Sequence, residues 1–227
     1  MLTPLQRHIA SIVGGLPDAQ QFALAGGAAL IARGDVDRLT RDLDFFGPSA
    51  VEVDQVIPIV ERALTDAGLS VHRIRESSGF YRLEVSQAGD VTEVDFGADF
   101  RLLPIEQGPL GPTLAGEELA INKVLAVFGR AEARDFVDLS ALTKRYGLDH
   151  LMRRASEKDP GFDAQVFAEM LPKFERLPRD EFEISDQDYQ RLVRTIEHWR
   201  GILVDLSPDH LQNKRELEGG DDMGHGL

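Results

Sequence analysis

Asp42-Leu43-Asp44-Phe45-Phe46 places two carboxylates two residues apart in an alternating polar and apolar run. That period is the period of a β-strand, so Asp42 and Asp44 share one face while Leu43 and Phe45 share the other. Two carboxylates so close repel each other unless a cation sits between them. Mg²⁺ takes carboxylate oxygens and keeps waters and substrate phosphates as its remaining ligands. Upstream, Gly26-Gly27 follows the apolar run Phe22-Ala23-Leu24-Ala25 and precedes Ala28 to Arg33, which reads as a short helix stopped by Gly34. A Gly-Gly turn between strand and helix lets backbone approach a phosphate, and the helix start offers free N–H groups and a positive dipole end. Each half is common by itself. In this order, joined by one short helix and Thr40-Arg41, they suggest nucleotide chemistry, with phosphate at Gly26 and Gly27 and metal at Asp42 and Asp44.

The stretch resembles the minimal-nucleotidyltransferase superfamily, and within it the AbiEii/AbiGii-type (MenT-like) toxins of type IV toxin–antitoxin systems. The family pattern is Gly-Gly-Thr/Ser-Ala-Leu, then Arg-x-Ser/Thr-x-Asp-Leu-Asp-Phe. Here it stands as Gly26-Gly27-Ala28-Ala29-Leu30, then Arg38-Leu39-Thr40-Arg41-Asp42-Leu43-Asp44-Phe45. Ala28 departs from the pattern, so a phosphate contact by the usual hydroxyl is absent or supplied elsewhere. A second likeness is a helix carrying Lys123, followed by Arg130-Ala131-Glu132-Ala133-Arg134-Asp135-Phe136-Val137-Asp138-Leu139. It matches the family's lysine helix and Arg-x-x-x-Arg-Asp-x-x-Asp-Leu run.

The resemblance implies roles for these residues. Gly26, Gly27, Thr40, Arg41 and Lys123 would contact the triphosphate, and Arg130 or Arg134 would neutralise phosphate or hold the acceptor end. Asp135 or Asp138 would complete the site as ligand, orienter or base, with Asp135 the first choice. A third metal carboxylate comes from a neighbouring strand in such enzymes, at the position matched by Asp95 in Glu93-Val94-Asp95-Phe96. One strand cannot surround two ions, which agrees with that role. Plainer readings stand beside each of these. Arg134 and Asp138 are i,i+4 neighbours that could simply pair, Lys123 could reach out of its apolar face into water, and Asp95 could be a solvent-facing strand edge.

Composition limits the field. The chain has 227 residues, 42% of them hydrophobic, and a net charge of −14. That length supports one large domain or two small ones. It contains no apolar run long enough to span a membrane and no signal-like N-terminus, so a cytoplasmic location is expected. The absence of cysteine excludes disulfides, Cys-zinc sites and thiol nucleophiles. A strongly acidic chain is not a general nucleic-acid binder, although a local basic surface could still hold RNA. The most basic part of the chain is Arg130, Arg134, Lys144, Arg145, Arg153 and Arg154.

Periodicity predicts a helix over 4–13, a second over 53–67 with Pro58 suggesting a later true start, and strands near 70–75, 80–85 and 91–96. An extended, Pro- and Gly-rich segment, 101–112, leads to helices over 117–128, 133–146, 148–158, 163–171 and 189–206, the last burying Trp199. The expected class is α/β (α+β): a small mixed sheet with flanking helices in residues 1–112, a helical domain in 113–206 closing the cleft, and a disordered tail over 207–227.

The expected function is Mg²⁺-dependent (or Mn²⁺-dependent) nucleotidyl transfer from a nucleoside triphosphate such as ATP. The resemblance further implies a toxin that modifies the 3′ end of tRNA, stops translation and growth, and is paired with an antitoxin protein. The alternatives are nucleotidylation of a protein or small-molecule hydroxyl, or a degenerate module that binds a nucleotide or partner without chemistry.

Overall fold

A computed structural model describes residues 1–205; the tail expected over 207–227 lies outside the described residues. Helix α1 (Pro4–Gly15) opens with a capping box, in which Thr3 Oγ1 accepts from Gln6 N at 3.1 Å and Gln6 Oε1 accepts from Thr3 N at 2.9 Å. Strand β1 (Ala23–Ala25) runs directly into α2 (Gly26–Arg33), which Gly34 ends in the left-handed conformation. Strand β2 (Asp42–Gly47) follows, then α3 (Ala50–Asp66), β3 (Ser70–Ser77), β4 (Phe80–Gln87) and β5 (Asp90–Ala98). A short hairpin, β6 (Glu106–Gly108) and β7 (Gly111–Thr113), closes the strand-bearing part. Helices α4 (Gly116–Gly129), α5 (Ala133–Tyr146), α6 (Leu148–Lys158), α7 (Ala164–Met170) and α8 (Asp186–Asp205) complete the described chain.

The strands form one mixed sheet in the order β3-β4-β5-β2-β1-β7-β6. Strand β2 lies antiparallel to β1 and parallel to β5. Its register pairs Asp44 with Asp95 and Asp42 with Glu93, so all four acids project from one face. On the opposite face Leu43, Phe45, Val94 and Phe96 are buried, and the Phe45 and Phe96 rings stack with centroids 5.2 Å apart. Helices α1 and α3 supply Ile9, Val13, Val53, Ile57, Val60 and Leu64 to this core. Burying each such side chain contributes about 1.5–3 kcal/mol. That two-sided contrast anchors β2, because a slip of one residue would put both aspartates into the core.

Helix α3 begins at Ala50, earlier than the sequence suggests, and passes through Pro58. Ser49 caps it by accepting from Glu52 N at 3.3 Å. Pro58 is exposed, so the carbonyl it leaves without a helical donor faces water. Strands β4 and β5 are longer than their apolar runs and meet in a two-residue hairpin at Ala88 and Gly89, both at positive φ. Trp199 is buried at 2% exposure, packed as expected among the helices.

Candidate active site

The Gly26-Gly27 turn is built for close approach. Gly26 has φ +57°, and a Cβ there would overlap the Asp44 carboxylate. A Cβ on Gly27 would lie 2.6 Å from Arg38 Nη2 and 3.1 Å from Thr40 Oγ1. Helix α2 starts without a side-chain cap, so its first N–H groups remain available to a ligand. Gly26→Ala is therefore expected to displace Asp44 and to cut nucleotide affinity and turnover together by about 10-fold or more, since even ångström misplacements of reacting groups carry such losses. A nucleotide titration alongside initial rates checks this, and wild-type values for both would show that the close approach is unimportant.

Gln6 Nε2 and Thr92 Oγ1 fix the segment before β2. Gln6 donates to the Thr40 carbonyl at 3.1 Å, and Thr92 donates to the Arg41 carbonyl at 3.1 Å. Thr40 Oγ1 is thereby held 3.1 Å from Asp42 Oδ1. Ala28 is fully buried in the core, whereas Thr40 lines the cavity beside both glycines.

Across the cleft, Lys123 does not reach into water. Its ammonium is 3.1 Å from Asp135 and 2.8 Å from Asp138, both fully buried on α5. Arg130 donates to Asp135 at 2.8 and 3.0 Å, and Arg38 donates to Asp138 at 2.7 and 2.6 Å. Burial alone would raise the Asp135 carboxyl, but the Arg130 hydrogen bonds and the Lys123 charge outweigh it and hold it below the ordinary range. Both aspartates are thus saturated by cations, and neither lines the cavity. They orient Lys123, Arg130 and Arg38. The turn that makes this possible places Ala131, buried and non-glycine, at φ +53° between α4 and α5.

Arg134 does not pair with Asp138. It reaches Asp42 Oδ2 at 3.4 Å and Glu132 at 3.0 Å. Asp95 is not a solvent-facing edge. It is 7% exposed and takes both hydrogen bonds of a bidentate Arg82, at 2.8 and 2.7 Å. Arg41, expected at the phosphates, points outward to Glu183 at 2.9 Å and lines a neighbouring groove instead. Asp44 receives no hydrogen bond from any described residue. Burial, then the charges of Asp42 and Asp95, push its carboxyl up to about 6 against the pull of Lys123 and Arg134.

These groups surround a cavity of about 110 Å³ lined by Gly26, Gly27, Thr40, Asp42, Asp44, Asp95, Lys123, Arg130 and Arg134, together with Arg38 and Arg82. Gly26, Asp44, Lys123 and Arg130 also border a second pocket of about 420 Å³, walled by Phe46, Leu119, Leu125 and Ala126. Lys158 stands at its edge, holding Asp99 at 2.8 Å and buried Glu118 at 2.7 Å. Among the described residues, no three acidic or imidazole side chains form a closed metal cage. Sequence reasoning missed Arg38 as a partner of Asp138, although Arg38 stands in the motif, and it missed Arg82 altogether.

The sequence matches the family described as nucleotidyl transferase AbiEii toxin, type IV TA system, over residues 14–212. The chain belongs to this family. As an AbiEii protein it is a nucleotidyltransferase, and its mixed sheet with flanking helices carries the corresponding α/β fold. JHP933 from Helicobacter pylori has a similar structure, with 18% identity and a TM-score of 0.56 over 95% of this chain and 94% of that one. MenT4, a nucleotidyltransferase toxin from Mycobacterium tuberculosis H37Rv, is similar with 18% identity and a TM-score of 0.52, over 92% of this chain and 88% of that one. At such identities the AbiEii chain shares their fold. No curated protein sequence matches it. Among the described residues, no helix is long and apolar enough to cross a membrane.

Proposed function

We propose that this chain transfers a nucleotide from a nucleoside triphosphate to the 3′ end of tRNA, blocking translation and growth until a cognate antitoxin protein restrains it. The observation that carries this reading is the convergence of Asp42, Asp44, the Gly26-Gly27 backbone and Lys123 on one small polar cavity beside a larger pocket with apolar walls. The larger pocket suits a nucleobase and the smaller one its phosphates.

The donor set fits a hard divalent cation. Asp44 lacks a hydrogen-bond donor and faces two further carboxylates, and every available ligand atom is oxygen. Asp42 and Asp44 would hold Mg²⁺, or Mn²⁺ in its place, with Asp95, now shared with Arg82, as a third ligand. When bound, the ion supplies Lewis-acid polarisation and charge neutralisation at the phosphoryl group.

The chain's own residues do the rest. Backbone N–H groups at Gly26 and Gly27 cradle phosphate oxygens. Lys123, fixed by Asp135 and Asp138, presents a compact cation to them. Arg130 and Arg134, which line the same cavity, would offset the charge that gathers on the departing pyrophosphate. The acceptor oxygen bonds to the α-phosphorus, the α–β anhydride bond breaks, and the hydroxyl proton passes to solvent.

The test is to incubate the protein with each α-phosphate-radiolabelled nucleoside triphosphate, Mg²⁺ and total tRNA, beside an Asp42→Ala control. Label entering tRNA, and lost in the control, is the expected result. The net charge of −14 favours a second reading, transfer to a protein or small-molecule hydroxyl, in which label appears there instead. No label anywhere would leave a nucleotide-binding module without chemistry.

Thr40 adds a regulatory expectation. Its hydroxyl lies beside Asp42 and faces the cavity, so a negative charge there would oppose both phosphate and the carboxylates. Thr40→Glu, a mimic of phosphorylation, is expected to lower transfer by about 10-fold or more. Full activity and toxicity of that variant would remove Thr40 from the mechanism.

A further inference from the structure

A separate groove of about 780 Å³ lies among α5, α6 and α8. Lys144, Arg153, Arg191 and Arg194 line it together with His150 and His198, against a single lining acid, Asp149. In the catalytic cleft every cation is matched by a carboxylate: Arg38 by Asp138, Lys123 by Asp135 and Asp138, Arg130 by Asp135, Arg134 by Asp42, and Arg82 by Asp95. The groove is different. Arg191 pairs with Asp188 and His150 with Glu117, but Lys144, Arg153 and Arg194 make no ion pair with any described residue. All three are exposed.

A chain of net charge −14 therefore gathers uncompensated positive charge in one concave place. Concave surfaces of one sign focus the field, and the net negative charge of the rest of the chain favours a polyanion docking there over other surfaces. The groove also approaches the catalytic machinery. Ser140, Lys144, Arg191 and Thr195 line both it and a recess of about 310 Å³ that extends to Arg38, the residue holding Asp138.

We propose that this groove binds the phosphodiester backbone of the RNA acceptor at a distance from its reacting end, holding the RNA while that end enters the cleft. The proposal rests on the reading that the acceptor is RNA. Exposed side chains at varied positions suit sequence-independent phosphate contacts rather than base recognition. Trp199, almost wholly buried, is not available as a stacking platform there.

The experiment measures anisotropy of fluorescently labelled total tRNA against the full chain at several salt concentrations, with transfer assayed in parallel. The triple variant K144E/R153E/R194E alters only exposed side chains, and an unchanged melting temperature will show that it folds. It is expected to bind tRNA about 10-fold or more weakly, with the salt slope reduced by roughly two, while the KM for the nucleoside triphosphate stays constant. The charge-conserving triple K144R/R153K/R194K is expected to keep wild-type binding. If wild type labels tRNA and the reversed triple binds it with unchanged affinity and slope, the groove proposal is overturned and the RNA-acceptor reading survives. If wild type neither binds nor labels tRNA, the acceptor reading fails and takes the groove assignment with it.

Discussion

Asp44→Asn is expected to raise the melting temperature while abolishing transfer. Asp44 sits deep in the cleft against Asp42 and Asp95, and its carboxyl is pushed up from 3.8 to about 6. A raised folded-state value means that the folded chain binds this proton more tightly than the unfolded chain does. The corresponding stability is fully present below pH 3.8 and is lost as pH rises through 6. At neutral pH the ionised group therefore weakens the fold by about 2–3 kcal/mol. Asparagine keeps the shape and removes the charge, so melting should rise by roughly 5–10 °C at pH 7.5. The gap between variant and parent should narrow toward pH 4 as the parent gains its proton. Added Mg²⁺ should raise the parent's melting temperature and leave the variant's nearly unchanged, because the variant has lost a ligand. Turnover should drop by about 1,000-fold or more, as expected when charge stabilisation at the reacting phosphorus is removed. Thermal melts at two pH values with a labelled-nucleotide assay measure all of this. A variant that melts below its parent at pH 7.5, or retains a tenth of its turnover, would show that Asp44 is a structural acid rather than one held ready for a cation.

Asp138→Ala should do the reverse to stability. Asp138 is fully buried and carries two cations, Arg38 through bonds of 2.7 and 2.6 Å and Lys123 at 2.8 Å. Taking away the acid leaves both charges short of a partner in a poorly solvated place. Breaking a buried pair from one side costs about 3–5 kcal/mol. For a chain of this size that corresponds to a fall of roughly 10 °C in melting temperature. Activity should fall as well, since Lys123 loses half of what positions it. Asp42→Ala is the comparison, because Asp42 is half-buried and its loss frees only Arg134, which keeps Glu132, and the Thr40 hydroxyl, which keeps the backbone carbonyl of residue 42 at 3.4 Å. That variant should lose transfer at nearly wild-type melting temperature. An Asp138→Ala chain that melts within about 2 °C of its parent would mean that water enters the site and that the pair is worth no more than a surface contact.

Much of the carboxylate face was legible in the sequence. The alternation of Asp42 to Phe46 assigns two acids to one side and two apolar residues to the other, and the alternation around Glu93 to Phe96 does the same for Asp95. The Gly26-Gly27 turn and the α4 helix with Lys123 were readable for the same reason, since each depends on neighbours a few residues away. What lay between elements was not. Asp95 faces Arg82 because β4 and β5 pair in one register, and nothing within either strand states that register. Arg134 reaches Asp42 on the sheet although Asp138 stands one helical turn away, because α5 is docked with Arg134 over the cleft and Asp138 under it. Arg38 and Asp138 meet across 100 positions of chain. Pro58 misled the reading of α3, since a proline is tolerated where the helix faces solvent and only packing decides which side that is.

By itself, then, the sequence determined which side chains share a face, where the chain turns on glycine, and which family's motif those residues compose. Such features follow from backbone periodicity and local sterics, which act over a few residues. Only the tertiary structure decided which cation holds which carboxylate, that Asp135 and Asp138 are buried supports while Asp44 stands free, and that Lys144, Arg153 and Arg194, without ion pairs to any described residue, share a groove beside α8. Those outcomes follow from sheet register and helix docking, which bring together charges that the chain keeps far apart.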